Sequence, residues 1–545
     1  MKVGTWLRRR RYGYTGLAGA TVMFCLSLTP SLLPRSYLFQ GLISGLLAAI
    51  GYGLGVLGVW LVKQLSGRTA AVASRAAWRV LAAVSAAAIV IFLVLGARWQ
   101  GQIHRLIGLD PPPAIGYALV LPIAVLSAAG WVGLVRLLRR AAHRLAALLG
   151  RWVPAAAARV LAGVAVVALL LGVLDGIVIR SAFQAADASF RTLNGVTSPD
   201  LAATADRLRS GGPGSLVSWE SLGNQGRLFI GGGPDATELE RFGGPDPKQP
   251  VRVYVGLDAA ASSRERAELA VQELQRTGAF ERAVLCVITT TGTGWVNEQA
   301  ADPLEYLYHG DSALVATQYS YLPSPISFLV DADRARDAGR DLFDAVYGVW
   351  SRLPEDGRPK LLVFGESLGS FGAESAFSGP ADIRNRTDGM LLIGPPNHND
   401  LWNGFLDHRD EGTPEVRPVY EQGETVRFAA DPAELSAAGY LWSEPRVVYL
   451  QYPSDPITWW SPRLMVSRPD WLAEPRGADV LPAVRWYPFV TFWQVSADMA
   501  VSNNVPAGHG HNFGAAPAAA WAQIAPPPGW TAERTAALTR LLGGD

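Results

Sequence analysis

Long uninterrupted apolar runs fill the first third of the chain, and short strand-length runs separated by amphipathic segments fill the rest. Residues 16–33, 37–62, 80–97 and 114–135 carry no charge, and 160–179 is broken only by Asp175. Each is close to or longer than the roughly 18–20 residues that cross a bilayer as a helix. A core helix of a soluble domain would show a polar face, and these do not. The pattern predicts about five transmembrane helices over residues 1–181. The first run has the basic flank of a signal peptide. Four further runs and the lack of a small-residue cleavage site favour a membrane domain instead.

Lysine and arginine alternate between the connecting segments. Fifteen fall before the first run, between the second and third, or between the fourth and fifth, from Lys2 to Arg159; only Arg35, Arg98, Arg105 and Arg180 fall in the other set. Five spans in that register put the N-terminus in the cytoplasm and everything after Arg180 outside. Pro30 and Pro34 bracket a very short first hairpin; if only one of its two arms spans, the parity reverses. Gly41 with Gly45, and Gly51 with Gly55, stand in G-x-x-x-G spacing, which lets helices approach closely, within one bundle or between copies of the chain. Asp175 lies near the outer end of its run and reads as solvated or paired with Arg180.

From 182 to 250 the chain is polar and Gly/Pro-rich. It reads as a linker or irregular lead-in. Alternation then begins: strands are expected at 251–256, 283–288, 314–319, 360–364, 390–394 and 446–451, and helices at 262–276 and 334–350. Strands alternating with helices predict an α/β domain with a mostly parallel sheet over 251–545. Residues 397–445 are where a cap would be inserted. Ligands of such sheets lie beyond the carboxyl ends of the strands.

Composition narrows the chemistry. The chain has 545 residues and a net charge of +1, which points to neither a nucleic-acid nor a polyanionic partner. Its two cysteines, Cys25 and Cys286, form neither a disulfide framework nor a metal motif. No cofactor is implied.

The richest motif is Gly365-Glu366-Ser367-Leu368-Gly369, preceded by Leu361-Leu362-Val363-Phe364. A buried strand running into G-x-S-x-G and then a helix is the context of a nucleophile elbow. A serine nucleophile needs an imidazole and an acid that fixes its tautomer. Asp455 follows the strand Val447-Val448-Tyr449-Leu450-Gln451, and Gly508-His509-Gly510-His511 follows later. His509, after a glycine, is the first choice for the base and His511 the alternative. The oxyanion donors are expected at Leu368 and in the Thr289–Trp295 run, with Thr291 and Gly292 as candidates. A metal bound by His509 and His511 would need further ligands, and the spacing of His398, Asp400 and His408 offers none. Glu220-Ser221-Leu222-Gly223 repeats part of the elbow, but Trp219 replaces its first glycine, so Ser221 has no catalytic role.

Several segments together resemble a bacterial family of membrane proteins with an N-terminal multi-helix region joined to an alpha/beta-hydrolase-like domain. They are Ser27-Leu28-Thr29-Pro30-Ser31-Leu32-Leu33-Pro34-Arg35, Gly292-Thr293-Gly294-Trp295, Gln318-Tyr319-Ser320-Tyr321, the elbow, Gly394-Pro395-Pro396 and the His509–His511 loop. The resemblance implies serine-hydrolase-like chemistry without naming a substrate. One departure is evident: that fold places a strand before the histidine loop, whereas residues 488–502 read as a helix, with strand character only near 484–487. The expected protein is a multi-pass cell-membrane esterase or lipase-like hydrolase working through an acyl-enzyme. An acyltransferase on the same residues, or a non-catalytic binding protein, is the alternative. Partners are the bilayer and an ester or lipid-like small molecule. Trp402, Phe405, Trp442, Trp459, Trp460, Trp471, Trp486 and Trp493 are either pocket lining or core.

Overall fold

The computed structural model describes residues 13–66, 73–154, 157, 161–166, 168, 189–196, 201–323, 326–327, 332–436 and 441–543. The chain divides into two units, Met1–Ala182 with Trp460–Pro506, and Phe183–Trp459 with Ala507–Asp545. The α/β domain is thus not the continuous stretch expected at 251–545: Trp460–Pro506 leaves it and folds with the N-terminal helices.

In the first unit the apolar runs form helices α1 (Tyr14–Ser27), α2 (Tyr37–Ser66), α3 (Arg75–Leu106) and α4 (Val120–Leu149). Among the described residues three helices, Tyr37–Ser66, Arg75–Leu106 and Ala114–Leu149, are long and apolar enough to cross a membrane. The first expected span, 16–33, is shorter than foreseen. Its helix stops at Ser27, where the hydroxyls of Ser27 and Thr29 bond back to the carbonyls of Phe24 and Leu26 at 2.6 Å, and Pro30 follows. The fifth span, 160–179, with Asp175, lies largely outside the described residues.

The G-x-x-x-G glycines are used inside this unit. A Cβ on Gly41 would lie 2.6 Å from Ile123, and one on Gly45 2.5 Å from the Ala124 carbonyl, both on α4. Gly51 and Gly55 meet the backbone of Gly19 and Thr15 on α1. Those faces are therefore already covered within the chain.

A buried polar knot joins the α1–α2 turn to the helix Val490–Asp498. Arg35 Nε lies 2.9 Å from Asp498 Oδ1, with both side chains fully buried. The contact is one of charge rather than an aligned hydrogen bond. Asp498 Oδ2 accepts from Ser31 Oγ and from the Leu32 amide. Gln494 Nε2 donates to the Thr29 carbonyl at 2.8 Å, and Arg35 N donates to Gln100 Oε1 at 2.9 Å. The Ser-Leu-Thr-Pro-Ser-Leu-Leu-Pro-Arg segment is thus the hub that receives Trp460–Pro506.

The second unit is built on a seven-stranded, all-parallel sheet: β1 (Val251–Val255), β2 (Val284–Thr289), β3 (Ser312–Thr317), β4 (Lys360–Glu366), β5 (Gly389–Ile393), β6 (Val426–Ala429) and β7 (Arg446–Leu450). The spatial order is β1-β3-β2-β4-β5-β7-β6. These strands read as continuous apolar runs because both faces of the sheet are covered. Six of the seven were legible. β6 was not: it is four residues long with Arg427 inside, and that buried guanidinium is satisfied only in three dimensions, by the carbonyls of Gly423 and Leu435. Part of the expected cap, 397–445, is therefore an edge strand of the sheet.

The lead-in is also more ordered than foreseen. Helix Gly223–Gly231 packs on β1, and buried Arg252 ties the two together. It donates to the Phe229 carbonyl at 2.7 Å and forks onto Glu305 at 2.8 and 2.7 Å. The fork is the bidentate geometry that makes an arginine–carboxylate pair strong.

Candidate active site

Register aligns the carboxyl ends of the central strands. Thr289 pairs with Gly365, Glu366 with Ile393, and Ile393 with Leu450. The residues just past this row (Thr290, Ser367, Gly394 and Gln451) therefore share one edge, where α/β sheets hold their ligands.

Ser367 is the turn between β4 and the helix Leu368–Glu374. Its φ of 53° and ψ of −125° lie where non-glycine residues seldom sit, a strain of order 1–3 kcal/mol held by its surroundings. Its amide donates to the Ile393 carbonyl at 2.8 Å. The flanking glycines are required sterically. A Cβ on Gly365 would lie 2.7 Å from the Ser370 amide nitrogen, and one on Gly369 would run into the carbonyls of Thr289 and Thr290 at the end of β2.

Asp455, fully buried, follows β7. Its Oδ1 accepts from the Ile457 amide at 2.8 Å, and its Oδ2 accepts from Thr458 Oγ1 at 3.3 Å and meets His511 Nδ1 at 2.6 Å. The structure thus brings Asp455 to His511, the alternative, rather than to His509. The cause is the shape of the loop. Gly508 and Gly510 both have positive φ. The Gly510 amide is held by Ser454 Oγ at 2.8 Å, and His509 and Asn512 pair across the turn. Adjacent odd positions then face different ways, and the residue after Gly510 turns inward.

His511 lies against Gly394, where a Cβ would sit 2.7 Å from Nδ1. Gly394 follows Ile393, whose carbonyl holds the Ser367 amide, so ring and elbow share the end of β5. His511 Nε2 is buried and makes no hydrogen bond among the described residues. Burial opposes the charged ring, but the Asp455 carboxylate, by charge and hydrogen bond, and Glu366 together hold the His511 pKa above the ordinary histidine value.

Glu366, between Gly365 and the serine, went unremarked in the sequence. It is buried and accepts from Asn297 Nδ2 at 2.7 Å. Burial pushes its carboxyl up, partly offset by His511 and Asn297. Nothing in a G-x-S-x-G pattern marks its second residue, so no sequence signal was available.

Of the oxyanion candidates, Leu368 opens the helix after the serine. The Thr291 amide is engaged within its own loop, donating to the Trp295 carbonyl at 3.1 Å, and Gly292 lies inside that turn. Three of the aromatics are core of this unit: Phe405 is buried against Tyr449, and Trp402 and Trp459 are fully buried, with rings 6.0 Å apart and indole N–H groups donating to Gln451 and the Tyr452 carbonyl. Trp460, Trp471, Trp486 and Trp493 belong to the other unit. Ser221 sits in a short turn, its hydroxyl bonded to the Ser218 carbonyl at 2.9 Å.

A strained G-x-S-x-G turn at the end of the central strand of a parallel sheet, with an acid paired to a histidine beyond the last described strand, β7, fits the alpha/beta-hydrolase class. Comparison with family models agrees. Residues 251–538 match the alpha/beta-hydrolase family and residues 28–234 match the N-terminus of that family. The first match covers more than half of the chain, which belongs to this family. No curated protein and no solved structure matches it.

Proposed function

We propose that the protein is a membrane-anchored serine hydrolase acting on ester bonds through Ser367, His511 and Asp455. The observation that carries this reading is the buried Asp455–His511 pair, 2.6 Å apart, with Nε2 unengaged at the strand end that also holds the strained Ser367 turn. In the reaction, Ser367 Oγ attacks the ester carbonyl carbon as His511 Nε2 takes its proton. The alcohol departs with that proton, and the acyl group stays on Oγ. A water molecule, deprotonated by the same nitrogen, attacks the acyl carbon and releases the acid, and the proton returns to Oγ. Asp455 keeps the Nδ1–H tautomer and stabilises the imidazolium. The Leu368 amide donates to the developing oxyanion.

The apolar helices α2, α3 and Ala114–Leu149 support anchoring across a bilayer. The arginine and lysine bias favours an extracytoplasmic hydrolase domain.

A fluorophosphonate probe on the detergent-solubilised full chain tests the assignment. Wild type should label. Ser367→Ala should not, and His511→Ala should label at least about 100-fold more slowly, while His509→Ala stays near wild type. Equal labelling of Ser367→Ala, or no labelling of wild type, would sink the reading. Product analysis with an added alcohol acceptor separates hydrolysis from acyl transfer.

A further inference from the structure

Beside the elbow, on the same edge of the sheet, the second unit contains a cavity of roughly 650 Å³. It lies past the carboxyl ends of β1 and β3. Leu257 and Asp258 follow β1, Tyr319 and Tyr321 follow β3, Arg266 stands on the helix Ser263–Arg276, and Arg334 on the helix Ala332–Trp350. Its charged lining is three arginines, Arg191, Arg266 and Arg334, and two aspartates, Asp258 and Asp337. Asp258 is already matched: it pairs with Arg191 at 2.8 Å and accepts from Tyr321 OH at 2.6 Å. Asp337 stands one helical turn beyond Arg334, within reach of it.

Arg266 makes no ion pair among the described residues. It is only 6 % exposed, and among the described residues its guanidinium makes one hydrogen bond, from Nη1 to the Ala260 carbonyl at 3.0 Å. Asp341 and Glu265 act on it by charge, but none of the described carboxylates lies within ion-pair distance, and a largely buried guanidinium held so loosely is costly unless a ligand supplies the partner. We propose that this cavity binds a compact oxyanion, a carboxylate or phosphate, and that Arg266 is its principal contact, aided by Arg334. Burial chiefly, and Arg334 with it, hold the Arg266 pKa below the usual arginine range against the opposing pull of Tyr321, Asp341 and Glu265, and a bound anion would relieve that repulsion.

The cavity is joined to the elbow. Tyr319, one of its walls, belongs to the buried cluster of Leu368 and Phe371 on the helix that Ser367 opens. β3 and β4 are separated by β2 alone, so the anion would lie two strand spacings, roughly 10 Å, from the serine. The inferred substrate is therefore an ester whose acyl chain ends in a negative group about that far from the scissile bond. The link to turnover rests on the hydrolase reading above, whereas the anion site itself does not.

Two arms on the solubilised full chain separate these claims. In the first, 4-nitrophenyl hydrogen sebacate is compared with 4-nitrophenyl decanoate, the same chain length without the distal carboxylate. Wild type should prefer the acid in kcat/KM. Arg266→Gln should lower the ratio of the two about tenfold, exposed Arg334→Gln should lower it about threefold, and Arg266→Lys should keep most of it. An unchanged ratio in both Gln variants overturns the substrate inference. Arg334→Gln carries the test should Arg266→Gln not fold. In the second, sebacate and inorganic phosphate are titrated into the Ser367→Ala chain by calorimetry. Binding that weakens at least tenfold on adding Arg266→Gln sustains the anion site, even if neither ester is turned over and the hydrolase reading fails. Absence of binding, or binding indifferent to Arg266 and Arg334, overturns the site. Phosphate binding without sebacate binding would sustain the site for a phosphate-bearing ligand and overturn it for a carboxylate.

Discussion

Asp455→Asn is the most informative single change to the proposed mechanism, because the surroundings of the carboxylate dictate how the amide must sit. Oδ1 accepts from the Ile457 amide at 2.8 Å while Oδ2 faces His511 Nδ1 at 2.6 Å. An asparagine keeps its oxygen where the backbone N–H is, so its NH₂ faces Nδ1. That forces the proton onto Nε2, the nitrogen that should receive the serine proton. Two losses combine. An imidazolium and a carboxylate with charge centres about 4 Å apart attract by about 4 kcal/mol at an effective dielectric of 20, which is about a thousandfold in rate. The wrong tautomer brings the total towards about 10⁴-fold.

The assay is 4-nitrophenyl ester hydrolysis in detergent across pH. Activity needs neutral His511, so it rises as pH rises through the ring's pKa. In wild type that limb lies above about 6.5, the ordinary histidine value, because Asp455 and Glu366 more than offset burial. In Asp455→Asn burial is opposed by Glu366 alone, and the limb of the residual activity moves down. Stability runs the other way with pH. A raised His511 pKa stabilises fully below about pH 6.5 and ceases to as pH rises through the folded value, so the variant should be most destabilised in acid. A variant that keeps more than a tenth of wild-type activity with its acid limb unmoved would refute the reasoning.

Asp498→Ala strands buried Arg35 and should cost about 3–5 kcal/mol of stability in detergent denaturation, whereas Arg35→Met combined with Asp498→Leu should cost far less; a single-variant loss under about 1 kcal/mol would show that the pair is solvated. Glu374, buried beneath Asn399, Tyr449 and the amides of Leu401 and Trp402, has its pKa raised to about 7, chiefly by burial. The folded state then holds an extra proton between about pH 4.5 and 7, so stability should fall by up to about 3 kcal/mol as pH rises through that window. Thermal melts of Glu374→Gln should show a correspondingly flatter pH dependence, and an identical slope in both proteins would contradict the assignment.

Much of the second unit was readable in advance because parallel strands covered on both faces must be apolar throughout, and because a tight turn excludes side chains beside Ser367. β4 and the turn at Gly365–Gly369 are local facts, written in consecutive residues. So were the three long helices, since a long apolar run without a polar face already specifies one continuous helix of bilayer length.

Tertiary structure decided what depended on distant partners. His509 and His511 are two residues apart in one glycine-rich loop, and no local rule ranks them. The choice came from Ser454 fixing Gly510 and from Asp455, 56 residues upstream of His511. Trp460–Pro506 joined the helical unit because Asp498 finds Ser31, 467 positions away, and Arg35 beside it. Arg427 could stand inside a strand because carbonyls from two turns receive it. Buried polar groups are tolerated only where partners meet them, and those partners are set by how the chain folds back rather than by the residues on either side.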